Sequence, residues 1–401
     1  MRILVITHYY AQGPAQELVK FLRRKKIPVD LISHPFPYCK DTRSWMEFTT
    51  AQGQSTSKYF WKWRGPAVGF YVKDFLLTLL WSKQSKIPYD LVISYDCLNT
   101  AAALVLRQLG QVRTVVYGCI DYAIRRFESS ILNHIYFTAD KAAATYSDMV
   151  WNLSPKMHER RLEIFGQQHP LAPALVVPTG GDFEHIQRIP EDQVNSFRLV
   201  YMGHLRPYQG IELAIDTVAH LVGEFPELTL DVVGGGPLLS DLQSRVQKLN
   251  LSDRIRFHGF IQSHEEVEMK LTHMGIGLAL YQPDPKSFTY FTDTNKPQIY
   301  MACGLPVLIT DVASSSGEIC RQGAGLLVTY DVASVSRALR LWLTNSQAHI
   351  QARRKAIQLA EGHSWNVLFD TAFEQTLQQI KLDLNLPGSK VRSSAIYPIS
   401  R

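Results

Sequence analysis

Several signatures of well-known enzyme classes are missing from this 401-residue sequence. There is no HExxH, no clustered His/Cys/carboxylate set, no Walker A loop and no GxSxG. A metal site is therefore not expected, and neither a P-loop NTPase nor an α/β-hydrolase is supported. The five cysteines, Cys39, Cys97, Cys119, Cys303 and Cys320, are scattered and form no CxxC. That excludes a zinc module or disulfide scaffold and suggests a reducing compartment. Long apolar runs are also lacking. The best stretch, 75–81, is far short of the roughly 18 residues that a span needs. The start, Met1 to Tyr10, shows no secretory leader pattern. No repeat and no nucleic-acid-binding signature is visible, so nucleic acid is not an expected partner.

What is present is a folded composition, 46% apolar and 19% charged, with enough chain for two domains. The net charge of +6 is unevenly placed. Residues 1–197 carry 23 Lys+Arg against 17 Asp+Glu, whereas residues 198–401 carry 19 of each. A basic first half suggests an anionic partner such as phosphate, an acidic glycan or an anionic membrane.

Short β-branched runs alternate with helical patterns. Strands are expected at 2–7, 28–33, 90–94, 112–117 and 174–177, with helices at 14–26, 98–109, 129–145 and 155–165. After a polar stretch at 179–197 the alternation restarts. Strands are expected at 198–202, 228–233, 254–258, 275–280, 306–309 and 325–328, with helices between them and an amphipathic helix at 364–380. This rhythm implies two parallel sheets, each covered on both faces. The tail from Leu386, with Pro387-Gly388-Ser389, reads as loosely ordered. Segment 58–86 breaks the rhythm by interleaving aromatics and cations, as in Lys58-Tyr59-Phe60-Trp61-Lys62-Trp63-Arg64. Such a mixture suits a membrane interface, and equally a core helix with a snorkelling polar edge. The run Arg23-Arg24-Lys25-Lys26 is favourable charge at a helix C-terminus, which an anionic membrane could also use.

The chemistry-bearing residues gather where strands end. Gly234-Gly235-Gly236-Pro237 follows an apolar strand and opens a helix, either as an anion-binding turn or as a plain tight turn. Gly203-His204-Leu205-Arg206-Pro207-Tyr208-Gln209-Gly210 also follows a strand, where ligands of open α/β sheets collect. There Arg206 is able to neutralise phosphate. Asn295-Lys296-Pro297 starts a helix that ends at Gly304. A cation at a helix N-terminus is unfavourable unless an anion joins it, which singles out Lys296. Asp96, Asp121 and His8 stand at ends of first-half strands. Each is a candidate general base or acceptor-hydroxyl clamp, or a structural hydrogen-bonding group.

Taken in order, these segments resemble the retaining family 4 glycosyltransferases (glycosyl transferases group 1), which have the GT-B fold. Leu199–Leu205 with Gly210, Asp231–Leu238, Arg254–Phe260, Tyr300–Val307 and Gly325–Val328 follow the motifs of that family's second domain over about 150 residues. In the first half Gly13, Tyr146–Ser154 and Pro178-Thr179-Gly180-Gly181-Asp182 match more loosely. The resemblance implies an α/β chain with two Rossmann-like, doubly wound domains facing a cleft. Residues 1–180 would be the acceptor domain, 181–197 a linker and 198–362 the nucleotide-sugar domain. Residues 363–382 would be a closing helix on the first domain, and 383–401 a tail. It implies a nucleotide-sugar donor, a glycan or lipid-linked acceptor and cell-surface polysaccharide synthesis. It also implies no metal or cofactor, because side-chain cations stabilise the departing diphosphate. The expected location is cytoplasmic, or peripheral on the inner face of the cell membrane.

On this reading Arg206, Lys296 and Asp121 are the catalytic candidates. Donor contacts fall on Gly13, Gly203, His204, Gln209, Gly234, Gly235, Gly236, His258, Gly259, Phe260, Asp293 and Ile299. His8 and Asp96 lie on the acceptor side. The sequence also departs from the family. Its E-x7-E carboxylates align with Phe291 and Ile299, and its catalytic histidine aligns near Ile120, beside Asp121. The Arg and Lys of its diphosphate loop align with His204 and Gln209. An inactive GT-B protein that binds a partner or a glycan is therefore the alternative, with a sugar-nucleotide epimerase behind it.

Overall fold

The structure is a computed structural model. It describes every residue except 10–12, 38, 40, 50–54, 61, 64, 167–169, 182, 285–286, 288–289, 292–293, 381–395 and 400–401. Of the residues singled out above, Tyr10, Trp61, Arg64, Asp182, Asp293 and 386–389 lie outside the described set. The chain forms two compact units, Met1–Pro178 with Trp365–Arg401, and Thr179–Ser364.

The first unit is built on the strands β1 (Ile3–Tyr9), β2 (Val29–Pro35), β3 (Trp45–Thr49), β4 (Ser55–Tyr59), β5 (Tyr89–Tyr95), β6 (Val112–Cys119), β7 (Met149–Asn152) and β8 (Ala174–Val176). Their order is β8-β7-β6-β5-β1-β2-β3-β4, and the short strand Tyr397–Pro398 adds to the outer edge of β8. Strands β8 to β2 run parallel, whereas β3, β4 and the terminal strand pair antiparallel. The apolar run of β1 explains its place inside. Ile3 and Val5 face a core shared with helices Pro14–Arg24 and Trp365–Ile380, and Leu4 and Ile6 face a core with Leu77, Trp81, Ala103 and Leu106. Alternate residues of one strand thus supply both faces, as a sheet with two covered faces requires.

Two elements of this unit went unread in the sequence. The β3–β4 hairpin lies at the sheet edge, and its second strand, Ser-Thr-Ser-Lys-Tyr, lacks apolar alternation. Strand β7 is only four residues long, although it is wholly buried.

The second unit holds six parallel strands, β9 (Arg198–Met202), β10 (Thr229–Val233), β11 (Ile255–Gly259), β12 (Ile276–Ala279), β13 (Val307–Thr310) and β14 (Gly325–Val328). Their order is β11-β10-β9-β12-β13-β14. The chain moves outward from β9 to β11 and then restarts on the other side of β9 at β12. The β9/β12 border is therefore the topological switch point, where open α/β sheets bind ligands beyond the strand carboxyl ends. Leu199 and Tyr201 enter one core and Val200 the other. Within the stretch expected to be a polar linker, Phe183 and Ile186 pack into that second core. Helix Ser346–Gly362, also missing from the sequence reading, buries Ala352 and Ala356 on this unit.

A charged pair, Arg161 and Asp140, sits deep in the first unit. The Arg161 guanidinium is fully buried and donates to both Asp140 oxygens at 2.7 and 2.8 Å and to Asn152 Oδ1 at 2.7 Å. The Tyr117 hydroxyl also donates to Asp140, at 2.7 Å. Removing one partner of such a pair strands the other in a dry interior. Arg161→Leu should lower the stability of the first unit by about 3–5 kcal/mol, read from its urea unfolding transition.

Candidate active site

In the second unit three loops at the strand carboxyl ends are tied together by backbone. The Gly203 N–H donates to Val233 O at 2.9 Å, Leu205 N–H to Gly235 O at 3.0 Å and Gly234 N–H to Gly259 O at 2.8 Å. The spacing leaves no room for side chains. At Gly234, φ is +144° and a Cβ would lie 1.9 Å from Gly203 O. Glycine is thus required for β10 to turn against the β9 loop. Gly236 approaches Leu205 O in the same way, at 2.5 Å for a Cβ. The glycine run is therefore a close-packed backbone surface. His204 and Arg206 project from it exposed, and Arg206 has no ion-pair partner among the described residues. Slight desolvation and the nearby Arg206 push the His204 pKa down. Gln209, by contrast, is buried.

Lys296 lies at the switch point. It is the second residue of helix Asn295–Ala302, whose N-cap Thr294 supplies no side-chain cap. The side chain is buried, and Nζ has no hydrogen-bond partner among the described residues. It is 4.2 Å from the centre of the Tyr201 ring and 4.8 Å from that of Tyr281. It also borders Gly203, where a Cβ would lie 3.2 Å from Lys296 Cε. The socket is rigid. The Tyr300 hydroxyl accepts the Met202 N–H at 2.6 Å, and the Tyr281 hydroxyl meets Thr294 Oγ1 at 2.7 Å. Two ring faces partly replace water around the cation. Burial still pushes the lysine pKa down to about 7. The tyrosines escaped the sequence reading. Tyr201 looked like one more apolar residue of a core strand, and nothing in the sequence signalled that its ring would face Lys296.

On the flank, His258 Nε2 is held 2.6 Å from Asp231 Oδ1 on β10, and Arg198 reaches the other oxygen of Asp231 at 3.2 Å. Gly259 follows with φ +71°, and Phe260 is 80% exposed beside Gly235. The second unit thus gathers Gly203, the 234–236 run, Gly259, Phe260 and Lys296 at one sheet edge. Ile299 does not join them through a polar group, because its side chain packs on the core beneath. Phe291 is buried as well.

The other candidates belong to the first unit. Gly13 precedes helix Pro14–Arg24, and its carbonyl accepts from Gln16 and Glu17. Asp121 is exposed and pairs with Arg126 at 2.8 Å. His8 and Asp96 meet at the carboxyl ends of β1 and β5, which is this unit's own switch point. His8 Nδ1 contacts Asp96, and Nε2 lies 3.3 Å from Asp74 on helix Ala67–Ser82. Burial opposes charge on the ring, but the two carboxylates outweigh it and raise the pKa to about 9. Both ring nitrogens of His8 are thus engaged by carboxylates. Asp96 has φ +70° and caps helix Cys97–Gln108 through Leu98 and Asn99. Asp74 and its neighbour Lys73 were not singled out by sequence, since a charge pair within an apolar helix looks like a solvated edge.

Residues 196–345 match the family model described as glycosyl transferases group 1. The second unit carries a glycosyltransferase domain. Comparison with curated protein sequences finds no match. Among solved structures, a sucrose-phosphate synthase from Thermosynechococcus elongatus is similar at TM-score 0.67 and 17% identity, covering 95% of this chain and 99% of that one. Anabaena HepE in complex with UDP is similar at TM-score 0.65 and 15% identity, with 94% and 100% covered. The catalytic domain of Arabidopsis thaliana starch synthase IV bound to ADP and acarbose gives 0.65 and 12%, with 95% and 99% covered. Likeness at such identities establishes a shared fold, the GT-B type with two Rossmann-like units. Among the described residues no group of three His, Cys, Asp or Glu is placed to hold a metal ion.

An ammonium buried with no hydrogen-bond partner among the described residues has a measurable cost. The lysine is protonated up to about pH 10.5 when unfolded but only to about 7 in the fold. The contribution of this group is thus most unfavourable below pH 7 and fades as pH rises toward 10.5. Lys296→Met should stabilise the ligand-free second unit by about 1–3 kcal/mol near neutral pH, with the gain shrinking at higher pH. Unfolding curves at several pH values check this.

Proposed function

We propose that this protein transfers a sugar from a nucleotide-activated donor, held by the second unit, to a glycan or lipid-linked acceptor. The observation that carries the reading is the buried Lys296 at the switch point, without a hydrogen-bond partner among the described residues, beside the close-packed glycine loops. An isolated cation in a dry socket is favourable once a diphosphate joins it. In the transition state negative charge builds on the leaving diphosphate. A lysine held in that socket, charged once the donor's diphosphate has joined it, stabilises that charge in place. Arg206, exposed at the rim, would close the second side of the diphosphate. Backbone at His258 to Phe260 would flank the nucleobase, with the exposed Phe260 ring as its face.

Asp121 and Asp96 are proposed to meet the acceptor on the first unit, Asp121 being the exposed carboxylate of the two. Neither donor binding nor departure of the diphosphate calls on a metal in this scheme. HepE in complex with UDP and starch synthase IV bound to ADP agree with a nucleotide on this fold. Retention of anomeric configuration and a role in cell-surface polysaccharide synthesis rest on the family resemblance. No described helix is long and apolar enough to cross a membrane.

A second reading has its own observation. Phe291 and Ile299 stand where the family's carboxylates would, and both are turned into the fold. A protein that binds nucleotide without turnover would show that pattern.

Calorimetry against UDP, GDP, ADP, CMP and their sugars separates these readings when paired with product assays with and without acceptor. Saturable binding of one nucleotide is expected. Lys296→Ala and Arg206→Ala should each cut turnover by about 10²-fold or more while the protein stays folded. Binding without any product would favour the second reading, and wild-type turnover in both variants would remove the site assignment.

A further inference from the structure

Helix Ala67–Ser82 is built partly inside out. Lys73, Asp74, Thr78 and Ser82 are buried. Asp74 receives Lys73 Nζ at 2.9 Å and lies 3.2 Å from His34 Nδ1, and His34 Nε2 lies 2.9 Å from Thr78 Oγ1. Desolvation, with Lys73 adjacent, keeps His34 neutral and its pKa down at about 3. The polar stripe is thus spent on the interior. Its opposite stripe, spaced four residues apart, is Val68, Val72, Leu76 and Leu80. These four, with Ile131 and Ile135 at the start of helix Ser130–Tyr146, are 47–73% exposed. Between the two helices runs a groove of about 260 Å³ whose lining, including Tyr71, Phe75 and Phe127, is wholly apolar or aromatic. A helix on a water-facing surface shows the reverse pattern. An apolar face of this breadth signals a partner.

Charge identifies that partner. The first unit holds 26 Lys+Arg against 16 Asp+Glu, a net +10, whereas the second holds 16 against 20, a net −4. Exposed Lys62 precedes the helix, exposed Lys83 and Lys86 follow it, and exposed Arg125 precedes Phe127 of the groove. The helix itself exposes no charged side chain. We propose that this face docks on an anionic lipid bilayer. The valine and leucine ridge enters the interface, an acyl chain occupies the groove, and the flanking cations meet lipid phosphates. Apolar insertion combined with basic side chains gives the two signals that stable, reversible membrane attachment requires. Asp74 links the same helix to His8 at the carboxyl end of β1, so docking sets the helix that borders the acceptor-side residues.

The test is vesicle flotation of the full chain, with no nucleotide or acceptor present, so that it succeeds or fails independently of the catalytic reading. Wild type is expected to float with phosphatidylglycerol-rich vesicles and weakly or not at all with pure phosphatidylcholine. Added salt should weaken the attachment. Val72→Glu/Leu76→Glu should lose about tenfold or more of that partitioning with an unchanged thermal transition, because both sites are exposed. Leu341→Glu, at an exposed apolar site on the second unit, should float like wild type. Three results would overturn the proposal. They are no wild-type attachment to either vesicle, equal flotation of the double variant, or a dimer in solution that the double variant dissolves while vesicle binding is absent.

Discussion

A parallel sheet delivers the carboxyl ends of all its strands to one edge, and in the second unit glycines bring the backbone of three loops together at that edge. Glycines at 203, 234 and 236 let three loops bond amide to carbonyl, so backbone lies at the surface between the exposed His204, Arg206 and Phe260. Into that surface the fold inserts one buried cation, Lys296, and gives it two tyrosine rings but no hydrogen-bond acceptor among the described residues. An unpaired ammonium in such a place opposes folding, and an anion would reverse the sign of its contribution. The position is costly to the empty protein and well suited to a diphosphate.

The first unit treats its charges differently. Arg161 and Asp140 pair with each other and with Asn152 and Tyr117, and His8 is clasped by Asp74 and Asp96. These groups hold the carboxyl ends of β1, β5 and β6 in place. They leave Asp121 as the exposed carboxylate at the end of β6. Polarity drawn inward on helix Ala67–Ser82 is matched by an apolar face turned outward. One buried network therefore shapes both the acceptor-side residues and the proposed docking face.

Much of this was legible in the sequence. Strands such as β1 and β9 are unbroken apolar runs, so their place in covered parallel sheets follows from burial alone. The glycine loops were legible because a glycine run after an apolar strand marks a close backbone approach. Lys296 was legible because a cation at a helix start is unfavourable until an anion joins it. The edge hairpin was hidden because an edge strand needs no apolar alternation on its exposed side. Tyr201 and Tyr281 were hidden because their meeting with Lys296 depends on strand neighbours distant in sequence. His8 was placed at the right strand end, but its clamping by two carboxylates depends on Asp74, 66 residues away. The family's missing carboxylates were visible as Phe291 and Ile299. Only the fold shows that Phe291 is buried and that Ile299 packs on the second unit's core.

The central claim is that Lys296 waits, largely neutral, for a diphosphate. It is tested by counting protons taken up on binding. Calorimetry of whichever nucleoside diphosphate binds, in two buffers of different ionisation enthalpy and at about pH 8, gives that count directly. With the lysine pKa near 7 in the empty protein, uptake approaching one proton per nucleotide is expected, and none in Lys296→Met. Identical apparent enthalpies in the two buffers for the wild type, with tight binding retained in the variant, would contradict it.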